Sequence, residues 1–309
     1  MISVGTVLRT TGSHYRVLLD DGEILECTLA GKYRLEGTKS TNPIAAGDKV
    51  KVNTSKHPAV IEELEDRRNY VIRRSTNLSR RTHIIASNLD QMMIVCTVAS
   101  PRTSTGFIDR LLVTGEAYGV PSILVFNKED ILTDEEKELR DELLEEYTFL
   151  GYRTFSVSAL TGQGIEDLKS AMAGKTTLIS GHSGTGKSSL LNALYPELGL
   201  RTGEISKKHQ KGTHTTTFAE MHKIPGGGFV IDTPGIKEFG LVHMEDSEIG
   251  DYFPEIRSLK EGCRYHNCLH RNEPGCAVLA ALDEGGMSEF RYQNYLNIID
   301  SNSYRHWEE

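Results

Sequence analysis

Four short stretches of this chain carry side chains suited to gripping a purine nucleotide, and a fifth is suited to a metal. Asn127-Lys128-Glu129-Asp130 has the form N-K-x-D. The Asp130 carboxylate can accept from both the N1–H and the 2-amino group of guanine. Adenine has an acceptor at N1 and no 2-amino group, so it would leave the same carboxylate unpaired. Lys128 would pack on the base plane. Ser158-Ala159-Leu160 reads as the second base-side loop. Gly181-His182-Ser183-Gly184-Thr185-Gly186-Lys187-Ser188, followed by Ser189, matches G-x-x-x-x-G-K-S. Its glycines let backbone N–H groups curl around phosphate, and the helix it opens adds a favourable dipole. Lys187 would reach the β- and γ-phosphates, and the Ser188 hydroxyl would bind Mg²⁺. Asp232-Thr233-Pro234-Gly235 is a D-x-x-G in which Asp232 would hold Mg²⁺ through water and the Gly235 N–H would sense the γ-phosphate.

These motifs stand in an unusual order. In an ordinary GTPase the phosphate loop leads and the base loops trail. Here the base loops come first, which is a circular permutation. Chain termini of a compact domain are often close, so such a cut can preserve the packed core.

Two catalytic parts remain to be found. A threonine between Ser188 and Asp232 must complete the magnesium shell. Gly212-Thr213-His214-Thr215-Thr216-Thr217 offers candidates, with Thr216 favoured. After D-x-x-G stands Ile236, where a Ras-like protein has the glutamine that orients the attacking water. Slow intrinsic hydrolysis is expected, with His214 the candidate for the missing function. The nearby Lys207, Lys208 and Lys211 give this segment a reason to meet RNA phosphate.

The metal candidates lie near the C-terminus. Cys263, Cys268, His270 and Cys276 make a Cys₃His set typical of a closed, structural zinc site, with His266 competing for the nitrogen position. No carboxylate base with an open coordination position is evident, so catalytic zinc is not expected. Five cysteines, three of them clustered, point to thiols and metal in a reducing cytosol rather than to disulfides.

The elements that must position these residues follow from periodicity. Residues 1–72 read as five short alternating strands with an Asp20-Asp21-Gly22 turn, which suits an OB-fold barrel or an SH3-like one. Residues 73–84 are Arg-rich and read as a linker. From 85 to 244, strand patterns at 91–99, 122–127, 154–158, 176–180 and 229–232 alternate with helical patterns at 108–118, 135–150, 165–172 and 187–194. That rhythm predicts an α/β parallel sheet with each motif loop at the C-terminal end of a strand. Residues 245–309 read as a helical, metal-binding domain. The architecture expected is thus multidomain.

Charge is unevenly spread. The net charge is −8, yet residues 1–84 carry 14 Lys and Arg against 10 Asp and Glu. The acidity gathers at 129–146, with 10 acids against 2 bases, a solvated helix face. The mildly basic first domain is a weak RNA signal. Tyr15, Tyr33 and Tyr70 are few aromatics for stacking bases, so contact with the backbone of folded RNA is the expectation. No run of 18 apolar residues predicts a membrane span, and the N-terminus lacks the pattern of a secretion signal.

Taken together, these residues resemble the circularly permuted ribosome small-subunit-dependent GTPase A (RsgA) family. The resemblance spans the chain and includes the strand entry Ala86-Ser87-Asn88-Leu89-Asp90-Gln91, the permuted motifs, His214-Thr215-Thr216-Thr217 and the Cys/His spacing. It implies an OB-like barrel, a permuted P-loop GTPase domain and a helical zinc domain. Its ligand set is Cys263, Cys268, His270 and Cys276, which sets His266 aside, and the apolar Ile236 fits the family too. It further implies GTP hydrolysis to GDP upon binding the 30S subunit and its 16S rRNA, late in bacterial subunit assembly, by a cytoplasmic monomer. The competing reading is an RNA-binding scaffold that holds nucleotide without turnover. An ATP-dependent kinase is disfavoured by Asn127 to Asp130.

Overall fold

The computed structural model describes residues 1–31, 43–74, 82–200, 219–233 and 244–306. The first five strands are β1 (Ile2–Thr11), β2 (His14–Leu19), β3 (Ile24–Leu29), β4 (Lys49–Asn53) and β5 (Ala59–Leu64). Alternation decides which side chains turn inward: Tyr15, Val17 and Leu19 of β2 are buried, while His14 and Arg16 are exposed. The strands run in the order β1-β2-β3-β5-β4, and β1 closes the ring by pairing with β4 as well as β2. The one parallel pairing in the ring joins β3 to β5. This is the five-stranded order of an OB barrel, so the SH3-like alternative falls away. The seam at β1 is tight. A Cβ on Gly5 would lie 2.7 Å from Val17 Cγ1 and 2.8 Å from the Leu18 carbonyl oxygen.

Residues 73–84, read from the sequence as a linker, have paired strands at both ends. β6 (Tyr70–Arg74) and β7 (Thr82–Ser87) form an antiparallel hairpin. The burial that holds the pair comes from Val71, Ile72, Ile85 and Ala86, largely outside the arginine run, so the composition of that run did not report it. Next to the hairpin, a buried ionic contact fastens the barrel to the rest of the chain. Arg67 donates through Nε and Nη2 to the two oxygens of Asp48 at 2.7 Å each, and Ser87 Oγ donates to Asp48 Oδ1. Gly47 allows the approach, because it has φ of +91° and a Cβ there would sit 2.1 Å from the Ser87 carbonyl oxygen.

The central sheet is built from β8 (Gln91–Cys96), β9 (Ser122–Asn127), β10 (Arg153–Val157), β11 (Thr176–Ser180), β12 (Glu220–Lys223) and β13 (Phe229–Asp232). Their order is β10-β9-β8-β11-β13-β12, parallel throughout except for β12. Helices α1 (Thr105–Ala117), α2 (Asp134–Phe149), α3 (Ile165–Met172) and α4 (Lys187–Leu194) cover the two faces. A strand covered on both faces is apolar on both, and all of β8 is buried. Met92, Ile94 and Cys96 meet Leu111 and Leu112 of α1 and Tyr147 of α2. Met93 and Val95 meet Leu168 of α3 and Leu190 and Leu191 of α4. Strand β12 also pairs with β1 through Arg9 and Glu220, so barrel and central sheet form one run of eleven strands.

The C-terminal elements are α5 (Asp246–Ile249), α6 (Pro254–Leu259), α7 (Ala277–Asp283) and α8 (Glu289–His306). Ile249, Phe253, Ile256, Val278, Tyr295 and Ile299 form their core, and Val113 of α1 belongs to the same cluster. A buried polar network crosses this junction. Arg291 of α8 donates to Asp109 of α1 at 2.5 Å and to Glu255 of α6 at 2.7 and 3.1 Å. Tyr147 and Asn294 donate to the same Asp109 at 2.8 and 2.6 Å. No helix among the described residues is long and apolar enough to cross a membrane.

Candidate functional site

Each described nucleotide candidate stands at the C-terminal end of a parallel strand, where open α/β sheets place their ligands. Asn127 ends β9, Ser158 and Ala159 follow β10, residues 181–188 follow β11, and Asp232 ends β13. Strand order therefore brings together motifs that lie far apart in the chain. Asn127 makes the junction. Its Nδ2 donates to the Thr185 carbonyl in the phosphate-loop candidate at 2.9 Å, and its Oδ1 accepts from the Ala159 amide at 3.1 Å. An asparagine can do both because it carries a donor and an acceptor on one planar group; an aspartate would lose the first bond. Ser158 Oγ donates to Asp130 Oδ1 and accepts from the Thr161 amide at 3.1 Å, which fixes the base-side carboxylate against the neighbouring loop.

The glycine-rich turn is shaped by close approach. Gly181 has φ of +142°, and a Cβ there would lie 2.2 Å from the Val95 carbonyl oxygen. Gly186 has φ of +87°, and its Cβ would meet Asn127 Nδ2 at 2.6 Å. Gly186 also precedes α4, so the free N–H groups of that helix open onto the turn. Lys187 donates to the carbonyls of Gly181 and His182 at 2.6 and 2.7 Å. Burial pushes the Lys187 ammonium down and the Asp232 carboxyl up, and each opposes the shift of the other through its charge. A cation and a carboxylate thus face one partly dry site. Ser188 and Asp232 supply hard oxygen donors of the kind that Mg²⁺ accepts. Thr216, His214 and Gly235 lie outside the described residues, as do Ile236 and the Lys207 to Lys211 stretch.

The Cys/His residues converge as a second site. The ligating atoms of Cys263, Cys268, His270 and Cys276 all lie within 4.8 Å of one another. His270 Nδ1 is 3.6 Å from Cys263 Sγ and 3.4 Å from Cys276 Sγ, and those two sulfurs are 4.0 Å apart. Four ligands set tetrahedrally at metal–sulfur and metal–nitrogen bond lengths stand about 3.3–3.8 Å from one another, so the cluster fits one ion. His266 is not part of it. The surrounding loop is held by its own backbone. Glu273 accepts from the amides of Leu269, Arg271 and Asn272 at 2.8, 2.8 and 3.1 Å. Burial works against that carboxylate, but the backbone donors prevail and hold its pKa at about 2. Tyr292 and Tyr295 of α8 donate to the carbonyls of His270 and Leu269 at 2.7 and 3.0 Å.

Comparison with known proteins bears on this arrangement directly. The family model described as RsgA GTPase matches residues 64–242. The chain belongs to the RsgA GTPase family. It is 52% identical over 297 residues to the small ribosomal subunit biogenesis GTPase RsgA of Bacteroides fragilis, covering 96% of both chains. It is 50% identical over 309 residues to the RsgA of Porphyromonas gingivalis, covering 98% of both. The crystal structure of YjeQ from Thermotoga maritima superposes with a TM-score of 0.78 at 33% identity, over 97% of this chain and 98% of that one. YloQ, described as a circularly permuted GTPase, gives 0.75 at 27% identity, over 99% and 96%.

Three contacts of this RsgA-family site were not legible in its motifs. The Phe107 ring of α1 stacks on His182 of the glycine-rich turn, with centroids 3.6 Å apart. Lys128 is left-handed, with φ of +73°, and its Nζ donates to the Ser100 carbonyl at 2.5 Å. Arg140 of α2 donates to Glu129, the variable residue of N-K-x-D. Only the last left a trace in the sequence, as one of two basic residues in an acidic helix.

Proposed function

We propose that this chain hydrolyses GTP to GDP and phosphate during late maturation of the bacterial small ribosomal subunit, and that the subunit accelerates the reaction. The observation that carries the reading is the pair of hydrogen bonds of Asn127, which joins the guanine-type loops to a phosphate-type loop at the C-terminal ends of the parallel strands. In this reading Asp130 reads the guanine N1–H and 2-amino groups, and Lys128 and Ala159 flank the base. Residues 181–189 wrap the phosphates, with Lys187 on the β- and γ-oxygens. Mg²⁺, held by Ser188 and Thr216 and through water by Asp232, would neutralise charge on the β- and γ-phosphates. Gly235 would sense the γ-phosphate, and His214 would orient the attacking water that Ile236 cannot. Relatives named as small-subunit biogenesis GTPases, at about half identity over nearly the whole chain, support the ribosomal setting. The metal of the Cys₃His cluster is, in this reading, one structural zinc. The protein acts as a cytoplasmic monomer, with 16S rRNA its partner on the 30S particle.

GTP turnover with and without purified 30S subunits tests the proposal. Stimulation by the subunit is expected, and His214→Ala should lose most of it while GTP and subunit binding persist. Groups that orient a reacting water contribute factors of about 10²–10⁴. Equal turnover with and without subunits would refute the stimulation, and no turnover in either case would favour the nucleotide-holding scaffold.

A further inference from the structure

Glu129 presents a physical problem that the N-K-x-D motif does not explain. It sits between the base-stacking candidate Lys128 and the base-reading candidate Asp130, and its side chain is only 5% exposed. A buried carboxylate is strongly unfavourable unless it is paired. One of its oxygens, Oε1, is buried with no hydrogen-bond partner among the described residues. The compensation therefore falls on Oε2, which accepts from Arg140 Nη1. Arg140 is itself only 12% exposed, and the same Nη1 lies 3.3 Å from Ser156 Oγ on β10.

Ser156 precedes the Ser158 and Ala159 loop by two residues on the same strand. Arg140 thus touches the loop after β9 through Glu129 and the strand that leads into the second base-side loop through Ser156. The Ser158 bond to Asp130 ties the same two loops independently. Arg140 can act as a fixed strut because α2 starts at a firm point just past the motif. Thr133 accepts from the Glu136 amide and Glu136 accepts from the Thr133 amide, a capping box. The loop needs such support. Lys128 holds a left-handed backbone, which is unfavourable for a residue other than glycine and persists only when the surroundings enforce it.

We propose that Arg140 is a positioning residue for guanine recognition, acting through Glu129 to set the place of Asp130 against the Ser158 loop. This rests on the guanine reading of Asp130 and deepens it. A guanidinium is required because its planar fork is held at Nε by Asp141 Oδ1 at 2.8 Å, which fixes the direction in which Nη1 meets Glu129 and Ser156; a lysine ammonium has no second nitrogen to be held in that way. Without Arg140 the buried Glu129 must take up a proton or turn outward, and either response moves the peptide that carries Asp130.

The test is equilibrium binding of GDP, IDP and ADP to the full-length protein with Mg²⁺, by competition with a fluorescent GDP analogue. IDP lacks only the 2-amino group, so the ratio of IDP to GDP affinity reads the two-pronged Asp130 contact. The native protein should favour GDP over IDP by about tenfold, the worth of one hydrogen bond to a charged acceptor. Arg140→Gln should weaken GDP by about tenfold and IDP by much less, so that the ratio falls toward one. Arg140→Lys should also lower the ratio, because charge alone does not restore the fork. Glu129→Gln added to Arg140→Gln removes the stranded charge and should return the ratio to within about threefold of native. This double variant also guards against simple misfolding of the single one. If the native protein binds GDP and IDP equally, the guanine reading falls and this proposal with it. If the native protein discriminates and Arg140→Gln keeps the ratio, the guanine reading stands and the role of Arg140 is refuted. Equal weakening of all three nucleotides together with a lower Tm would also refute it, since that is the signature of a purely structural residue.

Discussion

Replacing Arg291 with methionine should destabilise the junction between the C-terminal helices and the central sheet by about 3–5 kcal/mol, the usual cost of removing one partner from a buried ion pair. Methionine keeps much of the packing of the arginine stem against Phe253, whose ring centroid lies 4.7 Å from the guanidinium carbon. What it loses is charge. The side chains of Arg291 and Asp109 are 1% and 0% exposed. After the substitution Asp109 keeps only the Tyr147 and Asn294 donors, at 2.8 and 2.6 Å. Each is worth about 1–1.5 kcal/mol, too little to hold a carboxylate in a dry site. Burial already pushes the Asp109 carboxyl upward, and the Arg291 charge is the first counterweight. In the variant that counterweight is gone, so the folded-state pKa rises further above the unfolded value. A raised carboxyl pKa destabilises the fold above the unfolded pKa and is relieved as the pH falls, so the deficit should be larger at pH 8 than at pH 5. Urea denaturation followed by circular dichroism gives the free energy. Metal release to a coloured chelator reads the C-terminal module directly, because α8 also carries Tyr292 and Tyr295 onto the metal loop. Adding Asp109→Asn should recover about 2 kcal/mol by removing the stranded charge. The reasoning is refuted if Arg291→Met unfolds within 1 kcal/mol of native at pH 8, or if the double variant is no more stable than the single one.

Other perturbations test the two sites separately. Gly186→Ala should abolish nucleotide binding while leaving the metal in place, because a Cβ at that φ of +87° meets Asn127 Nδ2 at 2.6 Å; calorimetric titration with GDP that shows native affinity would contradict this. Asp130→Asn should weaken guanine nucleotides and improve xanthine nucleotides, whose 2-oxo group needs a donor, and competition binding with XDP would show a reversed preference. Metal removal by a chelator should open residues 260–280 to hydrogen exchange with GDP affinity changed by less than about threefold, since metal binding energy is folding energy for its own small module. Loss of nucleotide binding in step with the metal would show instead that the two sites fold as one.

The local chemistry of this protein was legible in its sequence because it is carried by contiguous residues. Residues 176–194 announce a strand, a glycine turn and a helix in one stretch, and β9, β11, β13, α3 and α4 fall where their periodicity put them. The Cys/His cluster was legible for the same reason, since three cysteines and a histidine within one short loop have few other uses, but the spacing left His266 and His270 in competition until the family resemblance, and then the convergence of the side chains, favoured His270. Periodicity could not choose between an OB and an SH3-like barrel, because both consist of short alternating strands; the choice lay in the pairing of β1 with β4 and of β3 with β5. Nor could the sequence show that the hairpin of β6 and β7 flanks the arginine run. The remaining contacts were out of reach for a more general reason. Asp109 to Arg291 spans 182 residues, Asp48 to Ser87 spans 39, and Asn127 to Thr185 spans 58. A charged residue reads as a surface residue until its partner is known, since only a partner makes burial affordable in free energy. Sequence supplied the chemical groups and their local backbone. The tertiary structure decided which charges are buried in pairs, and so which residues far from the motifs brace the candidate nucleotide and metal sites.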